Sequence, residues 1–151
     1  MAYWLMKSEP DVYSIDDLKR DRTEIWDGVR NYQARNFLTS MALGDKAFFY
    51  HSNTKPPGIV GLMEIVETNL VDPTQFDSTS QYYDAKSTPE TPRWYTVKVG
   101  YVATFERDIT LDQLRESFEP DELWVVRRGN RLSVMPVEDA IAEKLLKMAQ
   151  R

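Results

Sequence analysis

The run from Trp94 to Phe105 constrains the fold more than any other stretch of this 151-residue chain. Tyr95, Val97, Val99, Tyr101, Ala103 and Phe105 occupy every second position, with Thr96, Lys98, Gly100, Val102 and Thr104 between them. A period of two sends alternate side chains to opposite faces of a strand, so the first set predicts a buried face. Trp94, at the start of the run, is then expected on the other face, leaning away from the core. A long, half-exposed strand belongs in an antiparallel sheet covered on one side. Shorter strands are predicted over Tyr3 to Lys7, Lys46 to Ser52, Ile59 to Glu67 and Arg131 to Met135, with a brief extended segment at Leu123 to Val126. The Ile59 to Glu67 run scarcely alternates, which predicts burial on both sides.

Helices interleave with these strands. Ser14 and Asp17 have the spacing of a capping box, and Asn31 is a good cap for a second helix. Ala34, Phe37, Leu38 and Met41 would form its apolar face, with Gly44 as a stop signal. Thr110 caps a third helix carrying Leu111, Leu114 and Phe118. Pro136 suits the first turn of a last helix lined by Val137, Ala140, Ile141, Leu145 and Met148. Strands and helices mix without a regular βαβ rhythm, so the expected class is α+β, with a curled, mostly antiparallel sheet and helices packed outside. The length and the lack of repeats or linkers predict one domain over residues 1–151. The least regular stretch, Pro73 to Arg93, is long for a loop inside a compact domain, and such loops are often functional.

Composition narrows the chemistry. There is no cysteine and one histidine, His51, so thiolate and multi-histidine metal sites are excluded, and no metal or cofactor is expected. No apolar run approaches a membrane span, and the first ten residues turn polar too early for a signal peptide. The expected location is therefore cytoplasmic. The absence of heptads makes a monomer the expected state. Net charge is −5, so any contact with nucleic acid must rest on a local patch or pocket rather than on bulk attraction. No nucleophile elbow, Walker-type loop or zinc-protease motif is present.

Four segments concentrate aromatic and polar groups. Lys7-Ser8-Glu9-Pro10 ends a strand and offers a cation and a hydroxyl at its mouth. Trp26-Asp27-Gly28-Val29-Arg30-Asn31 leads a large ring into a helix N-terminus, with Arg35 one turn further on. Phe48 to Asn53 gathers His51 and Ser52 at a strand end. Tyr82, Tyr83, Arg93 and Trp94 combine rings with a guanidinium that can sandwich a flat base. Each also has a plain structural use, as strand end, helix cap or core edge.

Taken together, KSEP at Lys7–Pro10, WDGVRNYQARNF at Trp26–Phe37, GDKAFFYHSN at Gly44–Asn53, GIVG at Gly58–Gly61 and PRW at Pro92–Trp94 resemble the EVE domain family. The motifs follow in family order along nearly the whole chain. The resemblance implies a PUA-like fold, a small curved β-barrel with flanking helices, related to YTH, ASCH and PUA domains. It implies a non-catalytic domain that recognises a modified nucleobase, and the expected partner is DNA or RNA carrying one, notably modified cytosine in DNA. Carried over by motif, the base would meet Ser8, Trp26, Asn31, His51, Ser52, Tyr83 and Trp94, with Trp26 and Trp94 as walls. Phosphates would meet Lys7, Arg30, Arg35 and Arg93. The choice between Tyr82 and Tyr83 stays open. Two other classes also stay open: an enzyme on a nucleotide or RNA with His51 as base, and a module holding a small ligand or partner.

Overall fold

The computed structural model describes residues 1–150. Its strands are β1 (Tyr3–Ser8), β2 (Thr23–Ile25), β3 (Lys46–His51), β4 (Gly58–Val71), β5 (Tyr95–Thr110) and β6 (Val134–Val137). Its helices are α1 (Ile15–Asp21), α2 (Tyr32–Ser40), α3 (Leu111–Ser117) and α4 (Asp139–Met148). The strands form one curled sheet in the order β2-β5-β4-β3-β1-β6. Every neighbouring pair is antiparallel except β1 and β3, which run parallel with Leu5 opposite Phe48. The class is α+β, as the sequence predicts.

Two apolar clusters cover the two faces of the sheet. Met6 and Phe49 point into one, with Leu18 of α1 and Ala34 and Leu38 of α2. Their chain neighbours Leu5 and Phe48 point into the other, with Leu114 of α3 and Ile141 and Leu145 of α4. The period of two thus divides adjacent residues between two cores. In β5, Val97 and Val99 are fully buried while Val102 and Thr104 are exposed, as the alternation predicts. Thr96 is buried on the opposite face because its hydroxyl donates to the Trp26 carbonyl.

Caps at Ser14, Asn31 and Thr110 form as read from the sequence. Other expectations are corrected. Trp94 is only 5% exposed rather than leaning away from the core. Pro136 lies inside β6, not in a helix; β6 is an edge strand, where a residue without an N–H is tolerated. Leu123 to Val126 is not extended but ends in a 3₁₀ turn at Trp124–Val126. β4 and β5 both outrun their predicted ends because they pair along their length, from Gly58 opposite Thr110 to Val71 opposite Tyr95.

The start of β1 is anchored by the buried Asp45, whose carboxylate accepts from Ala2 N, Ala42 N and Trp4 Nε1, each at 3.0 Å. Burial disfavours its charge, but these hydrogen bonds outweigh that and hold its pKa below the ordinary value. Asp45→Ala orphans three donors. It should lower the unfolding free energy by about 2–4 kcal/mol, read as a fall in the urea midpoint with an unchanged slope.

Candidate functional site

Because β1 and β3 run parallel, they finish on the same rim of the sheet. Ser8 lies opposite His51, and Ser52 N donates to Ser8 O at 3.0 Å. Beyond Pro10 the chain turns back, with Val12 N and Tyr13 N both donating to Glu9 O, and Ser8 Oγ donating to Tyr13 O at 2.6 Å. Across the rim the chain leaves β2. Trp26 N donates to Val97 O at 2.9 Å, and the following loop runs to Asn31, whose Oδ1 accepts from Ala34 N at 2.9 Å.

Between these two loops lies an open cleft of about 820 Å³. That is within the usual range for small-ligand sites, about 300–1,000 Å³. One wall carries Lys7, Ser8, Glu9, Val12, Tyr13 and Ser52; the other is built from Glu24 through Asn31. Tyr82, Arg131 and Ser133 complete it. Trp26 belongs both to this lining and to the core; it is 7% exposed and meets Phe49 edge-on at 5.4 Å. An aromatic ring anchored this way can back a flat ligand without moving.

The ionic groups of the cleft balance, with Lys7, Arg30 and Arg131 against Glu9, Glu24 and Asp27. Burial pushes the Lys7 ammonium below its usual pKa. Among the described residues no carboxylate lies within ion-pair distance of it; its neighbour is the Tyr50 ring, 5.8 Å away. A partly desolvated, unpaired cation in a cleft favours an anionic or electron-rich guest. On the other wall, desolvation and then the charges of Asp72 and Glu24 raise the Asp27 carboxyl above the usual range.

Arg30 faces the cleft but is already committed. It pairs with Asp72 at 3.0 Å and donates to Val29 O, Tyr82 O and Thr74 Oγ1. The Tyr82 ring covers Gly28, which has φ of +82°. A Cβ at that position would lie 2.7 Å from the ring.

The structure thus gathers Lys7, Ser8, Trp26, Arg30, Asn31 and Ser52 around one cleft and leaves Arg35, His51, Tyr83, Arg93 and Trp94 outside it. His51 Nε2 accepts from Ile15 N at 3.1 Å, so it serves the first turn of α1 and is not free as a base. Trp94 is not a cleft wall; its ring stacks on Tyr32, and its Nε1 donates to Asp84 at 2.7 Å. Tyr83 is 46% exposed and Tyr82 takes the place at the cleft. Arg93 pairs with Asp84 at 3.4 Å, and Arg35 donates to Arg93 O at 3.0 Å. Tyr13, Arg131 and Ser133 escaped the sequence reading because they reach the cleft only through the parallel rim and the β6 edge.

Residues 2–148 match the family described as EVE domain. The chain belongs to the EVE domain family. It is 40% identical to human thymocyte nuclear protein 1 over 99% of this chain and 75% of that protein. Among solved structures, a Pseudomonas syringae protein is 49% identical, with a TM-score of 0.94 over 98% of this chain and 99% of the other. Human THYN1, solved in complex with DNA containing 5-methylcytosine, is 41% identical, with a TM-score of 0.92 over 100% of this chain and 99% of the other. A Zygosaccharomyces rouxii YTH domain shares the fold alone, at 15% identity and a TM-score of 0.58 over 99% of this chain and 87% of the other. The EVE chain therefore has the PUA-like architecture that its motifs imply. No described helix is long and apolar enough to cross a membrane.

Gly28→Ala should lose about 1–2 kcal/mol of stability from backbone strain alone, and displace Tyr82 from the cleft; urea unfolding and a Tyr82→Ala background separate the two effects. For His51, desolvation lowers the pKa, partly offset by Asp108 and Asp16. The unfolded chain then binds more protons as pH falls. Stability is full above about pH 6.5 and declines as pH drops through the lower folded value. Urea midpoints between pH 7.5 and 5 should show this decline, with less of it in His51→Gln.

Proposed function

We propose that this chain is a non-catalytic, monomeric, cytoplasmic reader of a modified nucleobase, with modified cytosine in a DNA strand as the preferred guest. The observation that carries the reading is the cleft itself: a ring-backed cavity with an unpaired cation, on a chain matched along its length to human THYN1, which was solved with methylcytosine-containing DNA. A base must leave its stack to be inspected by such a cavity.

The polar lining suits a pyrimidine edge. Ser8 Oγ spends its proton on Tyr13 O and keeps lone pairs for an exocyclic amine. Asn31 spends its oxygen on the helix cap and keeps its Nδ2 donors. Ser52 and the Asp27 carboxyl add further acceptors, and a carboxylate is a natural acceptor for the cytosine amino group. Trp26 supplies the stacking face. Lys7 and Arg131 are the cations of the cleft not tied up internally, so phosphate falls to them rather than to Arg30. His51, which holds α1, gives the enzyme reading no base.

The test is fluorescence-anisotropy titration of single-stranded and duplex DNA and matched RNA, with and without one 5-methylcytosine, at fixed salt. We expect at least tenfold preference for the modified DNA, about 1.4 kcal/mol. Equal affinity for both forms overturns the reading, and preference for RNA reassigns the strand. Lys7→Met should weaken binding about tenfold. Trp26→Phe tests the stacking face, because Trp26→Ala would remove core packing worth about 3–5 kcal/mol.

A further inference from the structure

Outside the cleft, rings and guanidinium groups form a connected series that ends at the surface. Arg30, on the cleft wall, lies 5.8 Å from the Tyr82 ring and 5.1 Å from the Trp94 ring. Trp94 stacks on Tyr32 with centroids 5.0 Å apart and planes 16° from parallel. Tyr32, the first residue of α2, is 49% exposed. Arg35 sits 4.8 Å from the Tyr32 ring and 5.7 Å from the Trp94 ring. Stacked on the outer face of Tyr32, it would be about twice the ring spacing from Trp94. It therefore stands beside the pair rather than over the outer face of Tyr32, whose ring is half exposed. Arg93 donates to the tyrosine hydroxyl, its guanidinium carbon 5.8 Å from the ring centroid, while the stack on Trp94 sets the plane of the ring. Among the described residues Arg35 pairs with no carboxylate.

A large exposed ring held rigid from behind, with an unneutralised guanidinium at its side, has the chemistry of a nucleotide stacking platform. It is joined to the cleft through Arg30 and through the Asn31 cap, which precedes Tyr32 in the chain. We propose that Tyr32 stacks the base adjacent to the one held in the cleft, while Arg35 takes the phosphate between them. This rests on the reader function proposed above and adds to it a sequence-tolerant contact with the flanking strand.

The experiment compares two probes on the full chain: an oligonucleotide with one central 5-methylcytosine, and the free nucleoside 5-methyl-2′-deoxycytidine, which has no neighbour to stack. Tyr32→Ala should weaken the oligonucleotide about tenfold and leave both nucleoside affinity and the modified-to-unmodified ratio unchanged. Tyr32→Phe, which keeps the ring, should bind as the native chain does. Arg35→Gln should reduce the slope of log affinity against log salt by about one. An unchanged oligonucleotide affinity in Tyr32→Ala overturns the platform, as does an equal loss for the nucleoside, which would mean that Tyr32 only braces the cleft. If the native chain shows no preference for the modified base while Tyr32→Ala still weakens oligonucleotides, the reader function fails and the stacking contact stands. Circular dichroism and the melting temperature of Tyr32→Ala confirm that the exposed site has not unfolded.

Discussion

The buried carboxylate of Asp72 is the tie on which the site depends. Its side chain is only 2% exposed, and it accepts from Gly28 N at 2.9 Å, Arg30 Nη1 at 3.0 Å, Thr74 N at 2.8 Å and Thr74 Oγ1 at 2.6 Å. A charge this far from water persists only when it is paired and fully hydrogen-bonded. Here the pairing joins three otherwise separate pieces: the loop after Trp26, the end of β4 and the long segment that follows. Gln75 completes the joint from a fully buried position, with Nε2 donating to Asp72 O and Trp94 O and Oε1 accepting from Arg93 N and Trp94 N. The segment that looks irregular in sequence is therefore a wall, and Tyr82 reaches the cleft from a fixed base.

This commitment of Arg30 changes how the charge of the molecule should be understood. The chain is acidic overall, and one of its central arginines is spent on internal structure. What remains at the cleft is Lys7, partly desolvated, and Arg131 against the carboxylates of Glu9, Glu24 and Asp27. Such a surface gains little from bulk counterion release and relies on fit within the cavity. For the reader function proposed above, this means high selectivity for the guest with low affinity for ordinary nucleic acid.

Much of the frame was legible in the residues. The alternation in β5 and the caps at Ser14, Asn31 and Thr110 are local signals, and the structure follows them. The WDGVRN segment, one of four set apart by its rings and polar groups, does form a cleft wall, while Trp26 also serves the core and Asn31 the helix cap. What was not legible is non-local. Whether Trp94 faces solvent or core depends on Tyr32 and Arg30, far away in the chain. His51 resembles a site residue until the free N–H of Ile15 is brought beside it. Nothing around Asp72 marks it as an anchor between distant segments, since Gly28 and Arg30, which it joins to the long segment, lie more than forty residues earlier. Pro136 favours a helix start and an edge strand equally, and only the strand order decides between them.

The pairing of β1 with β6 carries a consequence for how the molecule is made. Tyr3 lies opposite Val137, and Lys7 N donates to Ser133 O, so the strand that bears Lys7 and Ser8 is completed by residues far later in the chain. Contacts so distant along the chain are slow to form. The cleft rim cannot close until β6 has been made, so the segments around Lys7 and Trp26 precede the cavity they line. The cavity therefore exists only once the first and last strands of the sheet have met.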